Sequence, residues 1–325
     1  LHIFHLLGNI SGHTAELDAG VPARGLSGEA YRGHVFWDAL FVFPFFNLRL
    51  PGLTRTLIRY RHRRLKRARW AAADAGYEGA MYPWQSGSNG EELTPKVHFN
   101  PRSGRWIPDN SRLQRHINAA IAYDIWRYHQ ATNDVTLLAF YGAEIFIEIA
   151  RFWASIATHD PARDRYVIRG VVGPDEYHDA YPGSERPGID NNAYTNLMAA
   201  WVLWRATDVI DALPEQRQKE LSASLKLRRE ELGRWDEISR KLFVPFHDDG
   251  IISQFEGYDE LKELDWETYF ERYGNVQRLD RILEDEGDSP NRYKASKQAD
   301  VLMLHHLVPD EVRALLDRLP VAGWD

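Results

Sequence analysis

Cysteine is absent from all 325 residues. Its absence excludes disulfides, thiolate zinc sites and any Cys nucleophile, and it suits a cytoplasmic chain. No apolar run approaches the roughly eighteen residues of a transmembrane helix. The apolar start, Leu1-His2-Ile3-Phe4-His5-Leu6-Leu7, is short and lacks a basic leader and a small-residue cleavage site. It is therefore not read as a signal peptide. It also lacks an initiating Met, so the expected setting is the interior of a longer protein. There is no H-E-x-x-H pair, no Gly-rich phosphate loop and no G-x-S-x-G elbow. His305 and His306 are adjacent and face different sides of a helix, so no spacing recommends a metal site. The net charge of −7 gives no general reason to expect nucleic acid as a partner. No low-complexity linker or short repeat divides the chain, which reads as one domain over residues 1–325.

What is present is mostly helical periodicity. Over 135–156, apolar residues fall at Leu138, Tyr141, Ile145, Ile149, Phe152 and Ile156. Over 191–213 they fall at Tyr194, Met198, Val202, Ala206, Val209 and Leu213, with Leu197 and Trp201 widening the face. Steps of three and four put each set on one side of a helix. Residues 111–128 read as a similar helix capped by Ser111. Residues 34–48 are nearly all apolar and read as a helix buried on most sides. Further helices are expected over 1–17, 53–75, 215–242, 276–286, 293–307 and 310–319, roughly nine or ten in all. The Arg- and Lys-rich run 55–69 leaves Leu53, Leu57, Tyr60 and Ala68 as an apolar stripe, so its charges read as a solvated helix face and not a nucleic-acid patch. Eleven Trp and fifteen Tyr can fill a large core. Their ring faces can also stack on sugars.

Three long connections, 76–110, 158–190 and 243–266, are rich in Gly, Pro, Asp and Asn. Ordered loops of that length tend to carry function. The second contains Val171-Val172-Gly173-Pro174-Asp175-Glu176-Tyr177-His178. A Gly-Pro turn there presents three ionisable groups, and core packing asks for none of them. A carboxylic acid beside an aromatic ring can serve as a general acid, which singles out Glu176. Tyr31-Arg32-Gly33-His34-Val35-Phe36-Trp37-Asp38 is a second cluster. It reads either as a helix-capping salt bridge or as a sugar grip in which Trp37 stacks and Asp38 accepts hydroxyl hydrogen bonds. The loop from Tyr82 to Glu92, containing Trp84, suits a neutral polyhydroxy ligand or is simply a surface turn. Lys297 and Gln298 read as the start of a helix. A Lys there opposes the dipole and calls for an anionic or hydroxyl partner, unless it is an ordinary exposed Lys. In Asp190-Asn191-Asn192-Ala193-Tyr194-Thr195-Asn196, Asp190 or Asn191 is the expected cap, and the other amides stay open.

Taken in order, G-E-A-Y-R-G-H-V-F-W-D, P-W-Q-S-G, G-P-D-E-Y-H, D-N-N-A-Y-T-N and K-Q-A-D-V-L resemble glycoside hydrolase family 65. That family holds maltose, trehalose, kojibiose and nigerose phosphorylases and acid trehalases. The resemblance runs from about Leu1 to Leu307 and implies an all-α (α/α)6 barrel whose loops shape the active site at one end. It implies that Glu176 is the general acid. Trp37, Asp38, Lys297 and Gln298 then hold the glucose whose bond breaks, with Arg32, Trp84 and His178 as further substrate contacts. The implied reaction is inverting phosphorolysis of an α-glucosidic disaccharide, giving β-glucose 1-phosphate and a sugar. Phosphate is co-substrate, no cofactor is needed, and the full-length assembly is a homodimer. Phosphate is already an anion, so no catalytic base is required, in keeping with one outstanding carboxylate. The alternatives are an acid trehalase-like inverting hydrolase, which would need a second carboxylate to activate water, and a non-catalytic carbohydrate-binding remnant. The family's N-terminal β-sandwich, last barrel helices, phosphate site and C-terminal β domain have no counterpart here. The expectation is thus a barrel incomplete at its C-terminal end and inactive alone. The disaccharide is not legible, and 82–110 and 178–186 are its expected determinants.

Overall fold

The computed structural model describes residues 2–13, 17–21, 31 and 33–319. Among these, helices dominate and the strands form two short hairpins. The helices are α1 His2–Asn9, α2 Ala39–Arg49, α3 Pro51–Arg63, α4 Leu65–Asp74 and α5 Ile117–Thr132. Then come α6 Val135–Leu137 and α7 Ala143–Ile156, joined by a π-turn at Leu138–Gly142. They are followed by α8 Ala193–Asp211, α9 Glu215–Leu225, α10 Arg229–Lys241, α11 Trp266–Tyr273, α12 Leu279–Asp285, α13 Asp300–Leu307 and α14 Pro309–Arg318. Strands β1 Val97–Asn100 and β2 Arg105–Pro108 pair antiparallel with Phe99 opposite Trp106. β3 Thr158–Asp160 and β4 Arg165–Val167 make the second hairpin.

The chain forms two compact units. One comprises Leu1–Leu93, Arg115–Thr158 and Met198–Lys241; the other comprises Thr94–Gln114, His159–Leu197 and Leu242–Asp325. In the first, α2, α3 and α7 pack on α5. Trp153, Trp201, Trp235, Tyr60, Phe46 and Phe146 are fully buried there. Both periodic stripes behave as their spacing requires. Ile145, Ile149, Phe152 and Ile156 are buried on α7, and Tyr194, Met198, Val202, Ala206 and Val209 on α8. In the second unit, Tyr177 packs with Leu264, Leu279, Leu283 and Ala295.

Several expectations change. The helix expected over 34–48 starts only at Ala39, and Phe41 and Leu48 are exposed, so it is buried on one side. The run 53–75 breaks at Arg64 into α3 and α4. Its charges are not merely solvated. Arg61 is buried, with its guanidinium over the Tyr60 and Tyr82 rings, and Arg69 pairs with Glu144 and Glu148. Ser111 opens a 3₁₀ turn, and α5 begins only after His116. The expected helix over 215–242 is divided into α9 and α10, and Lys297 and Gln298 precede α13 instead of starting it.

Gly79 shows how the 76–92 loop is seated. Its φ of +72° is left-handed, and a Cβ there would run into Glu148 O, Arg151 Cβ and Phe152 N of α7. Ala80 N–H donates to Glu148 O at 2.9 Å, and Met81 N–H to Ala68 O at 3.0 Å. The loop lies directly on helix backbone, which cannot step aside. Gly79→Ala should therefore destabilise the protein by about 2 kcal/mol or more. Urea unfolding reads this as a lower midpoint; an unchanged midpoint would mean the approach is not required.

Candidate active site

The loop after β4 is fixed before it reaches its ionisable residues. Val171 and Ile189 exchange backbone hydrogen bonds of 3.0 and 2.8 Å, and Val172 N–H donates to Leu113 O at 3.1 Å. Gly173 then passes close to two side chains: a Cβ would meet Asn192 Nδ2 and Asp300 Oδ2. At Glu176 the backbone turns left-handed, with φ +65°. A non-glycine residue there costs roughly 1 kcal/mol or more and persists only where its neighbours over-determine it. Asp175 and His178 are those neighbours, and both are fully buried. Glu176 points the other way, its side chain about a quarter exposed.

Asp175 Oδ1 accepts the Lys297 backbone N–H at 2.6 Å. Its Oδ2 accepts the His178 N–H at 3.3 Å and lies 2.6 Å from His178 Nδ1. His178 Nε2 lies 2.9 Å from the Tyr293 carbonyl, which can only accept, so Nε2 carries a hydrogen. The sequence reading makes His178 a sugar contact. Its ring is buried and both nitrogens already face protein partners. Lys297 Nζ pairs with Glu176 Oε2 in a partly exposed ion pair, which supplies the anionic partner that the sequence called for. Gln298 beside it is half-buried, and its amide has no hydrogen-bond partner among the described residues.

A second polar layer lies beneath this loop. Asn192 Nδ2 donates to Asp300 Oδ2 at 3.0 Å and to Gln254 O at 3.1 Å. Asn192 Oδ1 accepts from Thr195 N at 2.9 Å, so Asn192 caps α8, in place of Asp190 or Asn191. Asn191 instead accepts the Ile168 N–H at 3.1 Å. Ser296 Oγ donates to Gln254 Oε1 at 2.8 Å. Asp300 is buried at the start of α13, and burial pushes its carboxyl up to about 7. The nearby Asp175 charge adds to that rise, and the Asn192 hydrogen bond opposes it. Sequence reading assigned no role to Asp300, although it stands in the K-Q-A-D motif. The signal was its place directly before the apolar residues Val301, Leu302 and Leu304.

The Trp37 cluster belongs to the other unit. Val35 and Ser86 exchange backbone hydrogen bonds of 2.9 and 3.0 Å, which join residues 33–38 to the Tyr82–Glu92 loop. Glu92 accepts the N–H groups of Trp84 and Gln85 at 2.8 and 3.0 Å. Gln85 Nε2 lies 2.6 Å from His34 Nδ1. The Trp37 ring is buried against Phe41, Trp84 and His116, with centroids 5.3, 5.7 and 4.8 Å away. His116 is fully buried, which lowers its pKa to about 3 and keeps the ring neutral. Trp84 is buried in the same box and contacts Phe36 and His116. This loop is an anchored element and not a free surface turn. Asp38 occupies the N-cap position of α2, and its side chain makes no capping hydrogen bond to that helix. Arg32 lies outside the described residues.

Comparisons with known proteins agree on one family. The family model described as the glycosyl hydrolase family 65 central catalytic domain matches residues 1–318. An uncharacterized glycosyl hydrolase of Mycobacterium tuberculosis is 61% identical over 320 residues, covering 98% of this chain and 24% of that protein. The trehalose 6-phosphate phosphorylase of Lactococcus lactis is 42% identical over 323 residues, covering 98% of this chain and 40% of that protein. The chain thus spans between a quarter and two fifths of the length of these relatives. A solved structure from the human microbiome, provisionally named a kojibiose phosphorylase, superposes with a TM-score of 0.71 at 23% identity. It covers 92% of this chain and 37% of that one, and shows a shared fold. Among the described residues no helix is long and apolar enough to cross a membrane.

Asp300 gives the polar layer a pH signature. Its folded pKa is raised from 3.8 to about 7, so its contribution to stability is full below about pH 4 and is lost as pH rises through about 7. Between pH 5 and 7.5 the native protein should lose about 2 kcal/mol more stability than an Asp300→Asn variant. Urea unfolding of both at the two pH values measures this, and parallel pH dependence would contradict it.

Proposed function

We propose, from the premise that this chain belongs to glycosyl hydrolase family 65 and matches its central catalytic domain, that it supplies the general acid and glucose grip of an inverting α-glucoside phosphorylase. Members of that family are enzymes acting on glycosidic bonds. In this reading the helices belong to an (α/α)6 barrel, which the helix-rich chain and the superposition at TM-score 0.71 support. The observation that carries the reading is Glu176. It is the outward residue of a strained turn whose flanking side chains are buried and tied.

Glu176 donates its proton to the glycosidic oxygen as the bond to the anomeric carbon breaks. Inorganic phosphate attacks that carbon from the opposite face. The products are β-glucose 1-phosphate and the released sugar, so no protein base is required. Trp37, Asp38, Lys297 and Gln298 are assigned to the glucose, and Arg32 and Trp84 to further substrate contacts. Lys297 Nζ sits on Glu176 Oε2 without ligand. On binding, the ammonium passes to a sugar hydroxyl, and the freed oxygen faces the glycosidic oxygen. The assignment to phosphorolysis draws on relatives named as trehalose 6-phosphate and kojibiose phosphorylases. The word hydrolase in the name of the mycobacterial relative keeps phosphate-independent cleavage as the second reading.

The test is a disaccharide screen of the intact protein, with and without phosphate, including trehalose 6-phosphate, trehalose and kojibiose. Glu176→Gln should lower kcat by about 10²- to 10⁴-fold while disaccharide binding, followed by calorimetry, persists. Retained turnover would remove Glu176 from the acid's role. Equal cleavage without phosphate would favour the hydrolase.

A further inference from the structure

Two residues three apart in the Glu176 loop hold two residues four apart in the loop before α13. Asp175 takes the Lys297 backbone N–H at 2.6 Å, and His178 takes the Tyr293 carbonyl through Nε2–H at 2.9 Å. The two holders are themselves joined at 2.6 Å. Because Nε2 carries a hydrogen, one proton lies between His178 Nδ1 and Asp175 Oδ2. Every polar atom of this closed arrangement is engaged, and both side chains are almost wholly shielded from water. In a low-dielectric setting such bonds are strong and directional.

The consequence falls on Lys297. Its backbone is held by Asp175, the residue immediately before Glu176, and its Nζ meets Glu176. Ala295, between the two held positions, is buried in the cluster that also contains Tyr177, the residue after Glu176. The two loops are thus registered at backbone and side-chain level on both sides of the carboxylate. Packing alone would not need a charged pair here, since removing a buried ionisable pair in favour of apolar groups is often neutral or stabilising.

We infer that Asp175 and His178 are positioning residues which staple residues 293–297 to the Glu176 loop, and that they act on turnover through the placement of Lys297. This inference rests on the proposed reading for its effect on turnover, but not for the staple itself. A displacement of about 1 Å in a group that touches substrate can cost roughly 100-fold. Asn at 175 can reproduce the two main contacts: its Oδ1 accepts the Lys297 N–H, and its Nδ2 donates to His178 Nδ1 once that nitrogen carries no hydrogen. Ala can do neither.

The experiment uses the intact protein and the Asp175→Ala, Asp175→Asn, Lys297→Ala and Asp175→Ala/Lys297→Ala variants. Backbone hydrogen exchange at Lys297 should be slow in the native protein and in Asp175→Asn, and faster by about 100-fold in Asp175→Ala. Asp175→Ala should lower kcat/KM by about 100-fold, and Asp175→Asn by less than about tenfold. The double variant should be no worse than about threefold below Lys297→Ala, because both act through one group. Losses that multiply would show that Asp175 acts elsewhere and would overturn the inference. So would unchanged exchange at Lys297 in Asp175→Ala. If Asp175→Ala does not fold, Asp175→Asn decides: native exchange supports the staple, and fast exchange overturns it. If the native protein turns over no disaccharide, the proposed function falls, and exchange still judges the staple.

Discussion

The left-handed backbone at Glu176 is the constraint on which the rest of the site depends. In an ordinary turn, three ionisable residues within four positions would all reach for water. Here Asp175 and His178 are turned inward and Glu176 outward, and one positive φ produces that division. The strain is small beside what holds it. Asp175 has backbone and ring partners, Tyr177 is packed among Leu264, Leu279 and Leu283, and Gly173 is pressed against Asn192 and Asp300. The outcome is a partly exposed carboxylate on a rigid support, beside an ammonium from a separate loop. An acid at a leaving oxygen must carry a proton, so in the proposed role the ammonium leaves Glu176 for a sugar hydroxyl before the transfer.

The arrangement is costly in stability terms. Asp175, His178, Asn192 and Asp300 are all buried in one unit, and each polar group there needs partners. They find them, and Asp300 accepts from Asn192 Nδ2 and the Val301 N–H, yet burial still raises its pKa and so favours its neutral form. The other unit solves a different problem with aromatic rings. Trp37 and Trp84 each meet His116 edge to face, and His116 stays neutral, so these three rings carry no charge.

The stripes on α7 and α8 were legible because their apolar residues recur at steps of three and four, although burial extends well beyond the stripe on both helices. Helix ends were less legible. The helix expected over 293–307 begins only at Asp300, because the segment 293–297 is engaged by His178 and Asp175, residues over a hundred positions away, and by Lys262. Ser111 could cap a helix, but the chain spends a 3₁₀ turn there before α5. Glu176, Lys297 and Trp37 stood out as residues that packing did not explain. Asp175 and His178 stood out too, but their roles were hidden. A buried strut and a ligand contact have the same composition, and only the partners tell them apart. Asn192 was hidden likewise among neighbouring amides, any one of which could have been the cap.

The central claim is that the bond broken at Glu176 is captured by phosphate from the opposite face of the sugar. The most direct measurement is proton and phosphorus NMR of the first product formed when the intact protein meets its disaccharide and phosphate. The account predicts the β-anomer of glucose 1-phosphate, appearing in step with the released sugar. An α-anomer, or free glucose released at the same rate without phosphate, would contradict it.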